Sequence, residues 1–173
     1  MGMDKAQVEV DGQTMLQRVA TALQTFLPHV VLLGADRAGM ECWPDDLPAR
    51  GPLGGIASAL SRMKDDHVLV VAVDQPFLRS ETLTRLCEMQ SDMAVVPVDA
   101  VGVRQVTCAV YPKSIAEVAM EEAKAEGSMQ SLLDRVSFQA VIPETWASWG
   151  EDGRSWFSVD TPVSLEEGIR RFL

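Results

Sequence analysis

Apolar and polar positions along the chain fall into blocks whose periods alternate between strand-like and helix-like. The run at 68–73 is apolar throughout. That predicts a strand covered on both faces and central in a parallel sheet, since a half-exposed strand would alternate with polar residues. It ends at Asp74, followed by Gln75, Pro76 and Phe77, and Pro76 closes it because proline cannot donate to a ladder. Upstream, the polar start carries a brief extended segment at Val8 and Val10 and a turn at Asp11-Gly12. Met15, Leu16, Val19, Leu23, Phe26 and Leu27 recur at helical spacing until Pro28 stops the pattern. A second buried strand is predicted at 30–33, leading into Gly34, Ala35 and Asp36. Residues 37–50 show no period and include Pro44, Asp45, Asp46 and Pro48, which predicts a loop.

The stretch Gly51-Pro52-Leu53-Gly54-Gly55 opens a predicted helix that continues through Ile56, Ala57, Leu60 and Met63. Glycines at a helix start let a ligand approach the backbone, and the free N–H groups there favour an anion or a base edge; a plain turn is the bland reading. After the apolar run, Ser80 is expected to cap a helix reaching about residue 90, with Glu81 in its first turn. Strands follow at 93–98 and 106–111, joined by a hairpin or lateral excursion at 99–105. Helices are predicted at 115–125 and 128–136, a strand at 138–142, and a short strand from Phe157 ending in Asp160. Pro162 suits the first turn of a last helix, 163–172. Trp146, Trp149 and Trp156 lie close together and are expected to pack against the sheet rather than stack a planar ligand. Strands alternating with helices imply one three-layer α/β/α domain with a mostly parallel sheet.

Composition narrows the function classes. The chain has 173 residues, enough for a single domain with one core. No stretch approaches the roughly 20 apolar residues of a membrane span. A net charge of -10 argues against nucleic-acid binding through a basic face, so an anionic substrate needs local cations, backbone N–H groups or a metal. Cys42, Cys87 and Cys108 lack ligand spacing and read as packing residues in a reduced, cytoplasmic setting. His29 and His67 precede apolar runs and read as structural.

Four polar clusters sit at strand ends or loop-to-helix junctions: Asp4-Lys5, the loop from Asp45 to Gly55, Asp74, and Asp160. A lysine, a strand-end carboxylate and a glycine-rich turn together suit a phosphate-handling site, and neither a Ser/His/Asp group nor a Walker-type loop competes. At these residues the chain resembles the molybdenum cofactor guanylyltransferases, the MobA-like members of the nucleotide-diphospho-sugar transferase fold, which is a Rossmann-like nucleotidyltransferase fold. Met1-Gly2-Met3-Asp4-Lys5 resembles the end of the signature L-A-G-G-x-S-x-R-M-G-x-D-K. Gly51 to Ile56 resembles G-P-L-A-G-I, Asp74-Gln75-Pro76-Phe77 resembles D-x-P-F/Y, and Phe157 to Pro162 resembles F-x-N-x-N-T-P. Cys108 to Tyr111 is placed like the family's A-L-Y strand.

The resemblance implies transfer of GMP from GTP to molybdopterin, with pyrophosphate released and Mg²⁺ as cofactor. Lys5 and Asp74 would be catalytic, Lys5 at the triphosphate and Asp74 on the metal. Asp45 would read the guanine edge, with Asp46 one residue away, and Gly34, Gly51, Pro52, Leu53, Gly55 and Asp160 would also line the nucleotide. Asp160 stands where relatives often carry asparagine; it could add a metal ligand and leans toward the related cytidylyltransferases. A cytidylyltransferase and a catalytically inactive cofactor-binding homologue are the alternatives. Biosynthetic or cofactor-acceptor proteins would be partners, with no nucleic acid or membrane involved. The family's opening strand and L-A-G-G loop have no counterpart before Met1-Gly2. The expectation is a domain truncated at its amino end, the native protein carrying roughly 15–20 further residues upstream.

Overall fold

The computed structural model describes residues 4–34, 37, 39–47 and 50–173. In chain order its elements begin with β1 (Glu9–Val10), β2 (Gln13–Thr14), α1 (Met15–Gln24), β3 (Val31–Leu33), β4 (Glu41–Trp43), α2 (Gly51–Arg62) and β5 (His67–Val71). They continue with α3 (Ser80–Glu88), β6 (Ala94–Pro97), β7 (Cys108–Pro112), α4 (Ala116–Lys124), α5 (Met129–Arg135), β8 (Phe138–Val141), α6 (Pro143–Ser148) and α7 (Pro162–Phe172). Short 3₁₀ turns lie at Lys5–Gln7, Lys113–Ile115 and Arg154–Trp156.

Alternation along the strands sets the layers, because successive side chains leave opposite faces of a sheet. Val68, Val70, Ala94, Val96, Ala109 and Tyr111 face a core shared with Leu53, Ile56 and Leu60 of α2, Ala119 and Ala123 of α4, and Leu132 and Leu133 of α5. Leu69, Val71, Val95, Cys108 and Val110 face a second core with Val19 and Leu23 of α1, Leu83 and Leu86 of α3, Trp146 and Trp156. The three layers follow directly. Trp149 packs against the second core, so the tryptophans serve burial as expected.

The four-stranded sheet runs β5-β7-β6-β8 and is mixed. β6 and β8 are parallel, whereas β7 runs against both of its neighbours. This corrects the place given to the apolar run at 68–73. It forms β5, ending at Val71; it pairs antiparallel with β7; and it is half-buried at the sheet's edge among the described residues. β7 and β6 take the two interior, fully buried positions. The 99–105 link is a hairpin, pinned by a Val98–Arg104 bridge. β3 pairs in parallel with β4, a three-residue strand inside the stretch expected to be loop, and the two form a separate sheet.

Local chemistry explains the other boundaries. Asp11 (φ 52°) and Gly12 (φ 76°) turn β1 into β2, as Asp-Gly readily does. Thr14 caps α1 in a reciprocal box with Gln17. Ser80 does not cap α3: Arg79 occupies that position, and the Ser80 hydroxyl donates instead to the Ala22 carbonyl at 3.0 Å. The segment from Phe157 is extended without joining a sheet. No helix among the described residues is long and apolar enough to cross a membrane.

Candidate functional site

Three segments far apart in sequence meet at the Lys5 ammonium. Lys5 lies on the first 3₁₀ turn, whose start is capped by Asp4 accepting from the Ala6 N–H at 3.1 Å; Asp4 also pairs with Arg37. Lys5 Nζ donates to Asp74 Oδ2 at 3.2 Å and to Asp160 Oδ1. The turn that aims Asp74 is held by buried Gln75, whose Oε1 accepts the Ala72 N–H at 3.2 Å. Asp74 therefore spends its side chain on Lys5 and not on a backbone cap. The extended 157–160 segment is held against this turn by the Val159 N–H donating to the Asp74 carbonyl at 2.8 Å. Phe77, Phe157 and Phe172 pack as a triad with ring centroids 5.3–6.1 Å apart. α7 comes this close because residue 168 is glycine: a Cβ there would lie 2.3 Å from the Phe77 ring.

The electrostatics follow from this triangle. The hydrogen bond to Asp160 is the main cause raising the Lys5 ammonium above its ordinary range, and the same bond to Lys5 holds the Asp160 carboxyl below its own. Both groups are partly open to solvent, at 36% and 60% side-chain exposure, so an incoming anion or cation can compete for them.

A cavity of about 300 Å³ opens between β3 and β5, and its lining reaches Ala72, two residues before Asp74. Leu33, Asp45, Gly51, Pro52, Gly55, Ile56, Val70, Val71, Ala72 and Thr107 line it. Asp45 Oδ1 accepts from the Leu47 N–H at 2.8 Å and the Ser58 hydroxyl at 3.2 Å, while Oδ2 has no hydrogen-bond partner among the described residues. Asp46 faces elsewhere and pairs with Arg62, which separates the two adjacent aspartates. Gly34 abuts Asp45: a Cβ on it would lie 3.9 Å from that of Asp45. Of the residues expected at a ligand, Lys5, Asp74 and Asp160 converge on one point, Asp45, Gly51, Pro52 and Gly55 line the cavity, and Gly34 stands behind Asp45 outside the lining. Leu53 is turned away altogether; it is 1% exposed in the first core, where an apolar residue of the first helical turn belongs. Met1, Gly2, Met3, Ala35, Asp36 and Pro48 lie outside the described residues.

Sequence reasoning missed Gln75, Ser58 and Glu151. The serine had a signal, a lone hydroxyl in the run Ile56-Ala57-Ser58-Ala59-Leu60. Glu151 had none, because a glutamate in a loop reads as solvated. His67 is structural as expected, its Nε2 lying 2.7 Å from the Ser91 carbonyl oxygen.

Comparison with known proteins gives a consistent picture. Residues 1–141 match the family model described as a MobA-like NTP transferase domain. A probable molybdenum cofactor guanylyltransferase of Clostridium perfringens is 28% identical, over 98% of this chain and 89% of that protein. One from Natronomonas pharaonis is 30% identical, over 98% and 90%. Among solved structures, molybdopterin-guanine dinucleotide biosynthesis protein A from Archaeoglobus fulgidus superposes with a TM-score of 0.82 at 22% identity, covering 98% of this chain and 90% of that one. The 2-C-methyl-D-erythritol 4-phosphate cytidylyltransferase of Thermus thermophilus superposes at 0.73 and 16% identity, covering 96% and 92%.

Proposed function

Since the chain belongs to the MobA-like NTP transferase family, we propose that it transfers GMP from GTP to the phosphate of molybdopterin and releases pyrophosphate. The observation that carries this reading is the meeting of Lys5, Asp74 and Asp160, with a cavity lined by Asp45 whose wall reaches Ala72 at the start of the turn bearing Asp74. An oxygen of the acceptor phosphate attacks the α-phosphorus of GTP, a new P–O bond forms, and the α–β bond breaks with its electrons leaving on pyrophosphate. No protein nucleophile is needed, so the work falls to positioning and charge. The Lys5 ammonium, shared between two carboxylates in the free protein, turns toward the triphosphate and offsets charge on the leaving group. Asp45 Oδ2 accepts from the guanine edge, where N1–H and the 2-amino group are donors and cytosine offers a different pattern. Pro52 and Gly55 form the apolar wall against which the base lies.

The donor set suits Mg²⁺. Two carboxylates meet at Lys5, and among the described residues no group of three or more His, Cys, Asp or Glu gathers. A hard cation that completes its shell with water and substrate phosphates needs no more than that. Asp74, with Asp160 beside it, would hold the ion, which when bound neutralises charge on the phosphates.

Pyrophosphate release over molybdopterin, measured with GTP and with CTP in the presence and absence of Mg²⁺, tests the reading. GTP is expected to exceed CTP by about tenfold or more, and release to need the metal. Equal or greater turnover with CTP would overturn the guanine assignment. Release unaffected by chelation would remove the metal, and release with neither nucleotide would favour an inactive cofactor-binding homologue.

A further inference from the structure

Gln75 directly follows Asp74 and is 2% exposed. Only one end of its carboxamide is engaged. Oε1 accepts the Ala72 N–H at 3.2 Å, a contact that also fixes which end of the amide is oxygen, and the same N–H donates to the Thr107 carbonyl at 2.9 Å. Nε2 carries two hydrogens and has no acceptor among the described residues, yet it is not sealed from solvent. Ala72 and Thr107 both line the cavity. The amide therefore lies where the cavity wall passes into the turn bearing Asp74.

In the free protein, water reaches that nitrogen. A substrate lying across the turn expels the water, and a buried donor left without an acceptor is costly, so the substrate has to bring an acceptor with it. On the reading above, the base lies at Asp45 and the leaving pyrophosphate at Lys5, which makes the α-phosphate the group that crosses from cavity to turn. We propose that Gln75 Nε2 donates to a non-bridging oxygen of the GTP α-phosphate, in a contact that strengthens as the phosphorus takes on the incoming oxygen. Gln75 is then a further catalytic residue. The bonds made and broken are those already given, and no proton passes through the amide. The motif D-x-P-F/Y leaves the place of Gln75 open, so this donor is an addition made by this chain to the reaction and not the machinery that the family shares. Holding the turn uses only Oε1 and donation uses only Nε2, which makes the two roles separable.

Pyrophosphate release over molybdopterin, measured on the full chain with GTP and with each diastereomer of its α-thio analogue, tests it. Sulfur accepts a hydrogen bond poorly. One diastereomer is expected to be slowed about tenfold relative to GTP, equally with Mg²⁺ and with the thiophilic Cd²⁺; slowing that Cd²⁺ relieves belongs to an oxygen on the metal. A parent chain that shows no metal-insensitive slowing overturns the proposal before any variant is made. Gln75→Met should slow GTP about tenfold and abolish that slowing, with circular dichroism checking the fold. If Gln75→Met lowers all rates alike and the slowing persists, Gln75 only holds the turn and the proposal is overturned. Gln75→Glu keeps an acceptor for the Ala72 N–H and removes the donor; it should be slowed as Gln75→Met is, and turnover at the parent rate would again overturn the donor. Release from neither GTP nor CTP by the parent chain would instead bring down the proposed function, and the inference with it.

Discussion

Glu151 and Asp74 are both carboxylates held by partners from distant parts of the chain, and they differ in how completely those partners fill them. Glu151 is 3% exposed and fully occupied. Its Oε1 accepts from the N–H groups of Asp152, Gly153 and Ser155 at 3.1, 2.8 and 3.2 Å, and its Oε2 from the Thr82 and Ser155 hydroxyls, each at 2.6 Å. Every donor is internal and nothing is left to offer a ligand. Asp74, at 23% side-chain exposure, shares one lysine with Asp160 and has room for another partner. The difference is one of spare capacity: Glu151 spends its acceptors inside the fold, whereas Asp74 keeps the open coordination that the proposed function asks of it. Glu151 staples the 151–155 loop to the first turn of α3, whereas the cluster at Lys5 stays open to solvent.

Replacing one carboxylate from each region tests that contrast. Asp74→Asn should lower pyrophosphate release by on the order of 1,000-fold, while the urea midpoint shifts little; activity near that of the parent would remove Asp74 from the site. Glu151→Ala should do the reverse, costing about 3 kcal/mol of stability in urea unfolding because buried hydroxyl and amide donors lose their acceptor. Loss of turnover at unchanged stability would break the comparison. Lys5→Ala should weaken GTP binding about tenfold, read by titration calorimetry, and unchanged affinity would make the lysine a surface residue only.

The smallest effect concerns pH. The folded Asp160 carboxyl sits below its ordinary value of 3.8, so what it contributes is present above that value and is lost as pH falls through the lowered one. Lys5 sits above 10.5, so its contribution is present below 10.5 and is lost as pH rises through the raised value. Thermal unfolding between these limits should be insensitive to this pair. Any slope outside them should flatten in 0.5 M salt, because both groups are exposed.

Much of the site was legible in the sequence, for physical reasons. Asp74 is announced by the apolar run before it and Pro76 after it, and Asp160 by the residues that open α7, where Thr161 caps and Pro162 takes the first turn. What sequence does not carry is adjacency between strands. The apolar block of β5 says that it is covered on both faces, but not which strands flank it, and β7 and β6 take the interior instead. The three residues of β4 are too few to show a period among prolines and aspartates. Ser80 has the composition of a cap, yet its hydroxyl is drawn to the Ala22 carbonyl by packing of α1 against α3. Asp45 and Asp46 are indistinguishable in sequence and are told apart by partners on α2, Ser58 for the first and Arg62 for the second.

The bond from the Val159 amide to the Asp74 carbonyl also provides a way to time the site. Val159 is completely buried, and its amide proton is protected from exchange only while the segment bearing Asp160 stays docked on the turn bearing Asp74. Its hydrogen–deuterium exchange rate is therefore a single-residue clock for opening of the cluster. Slowing of that clock on addition of nucleotide and metal, while amides in β7 keep their own rates, would report ligand-induced closure without any measurement of turnover.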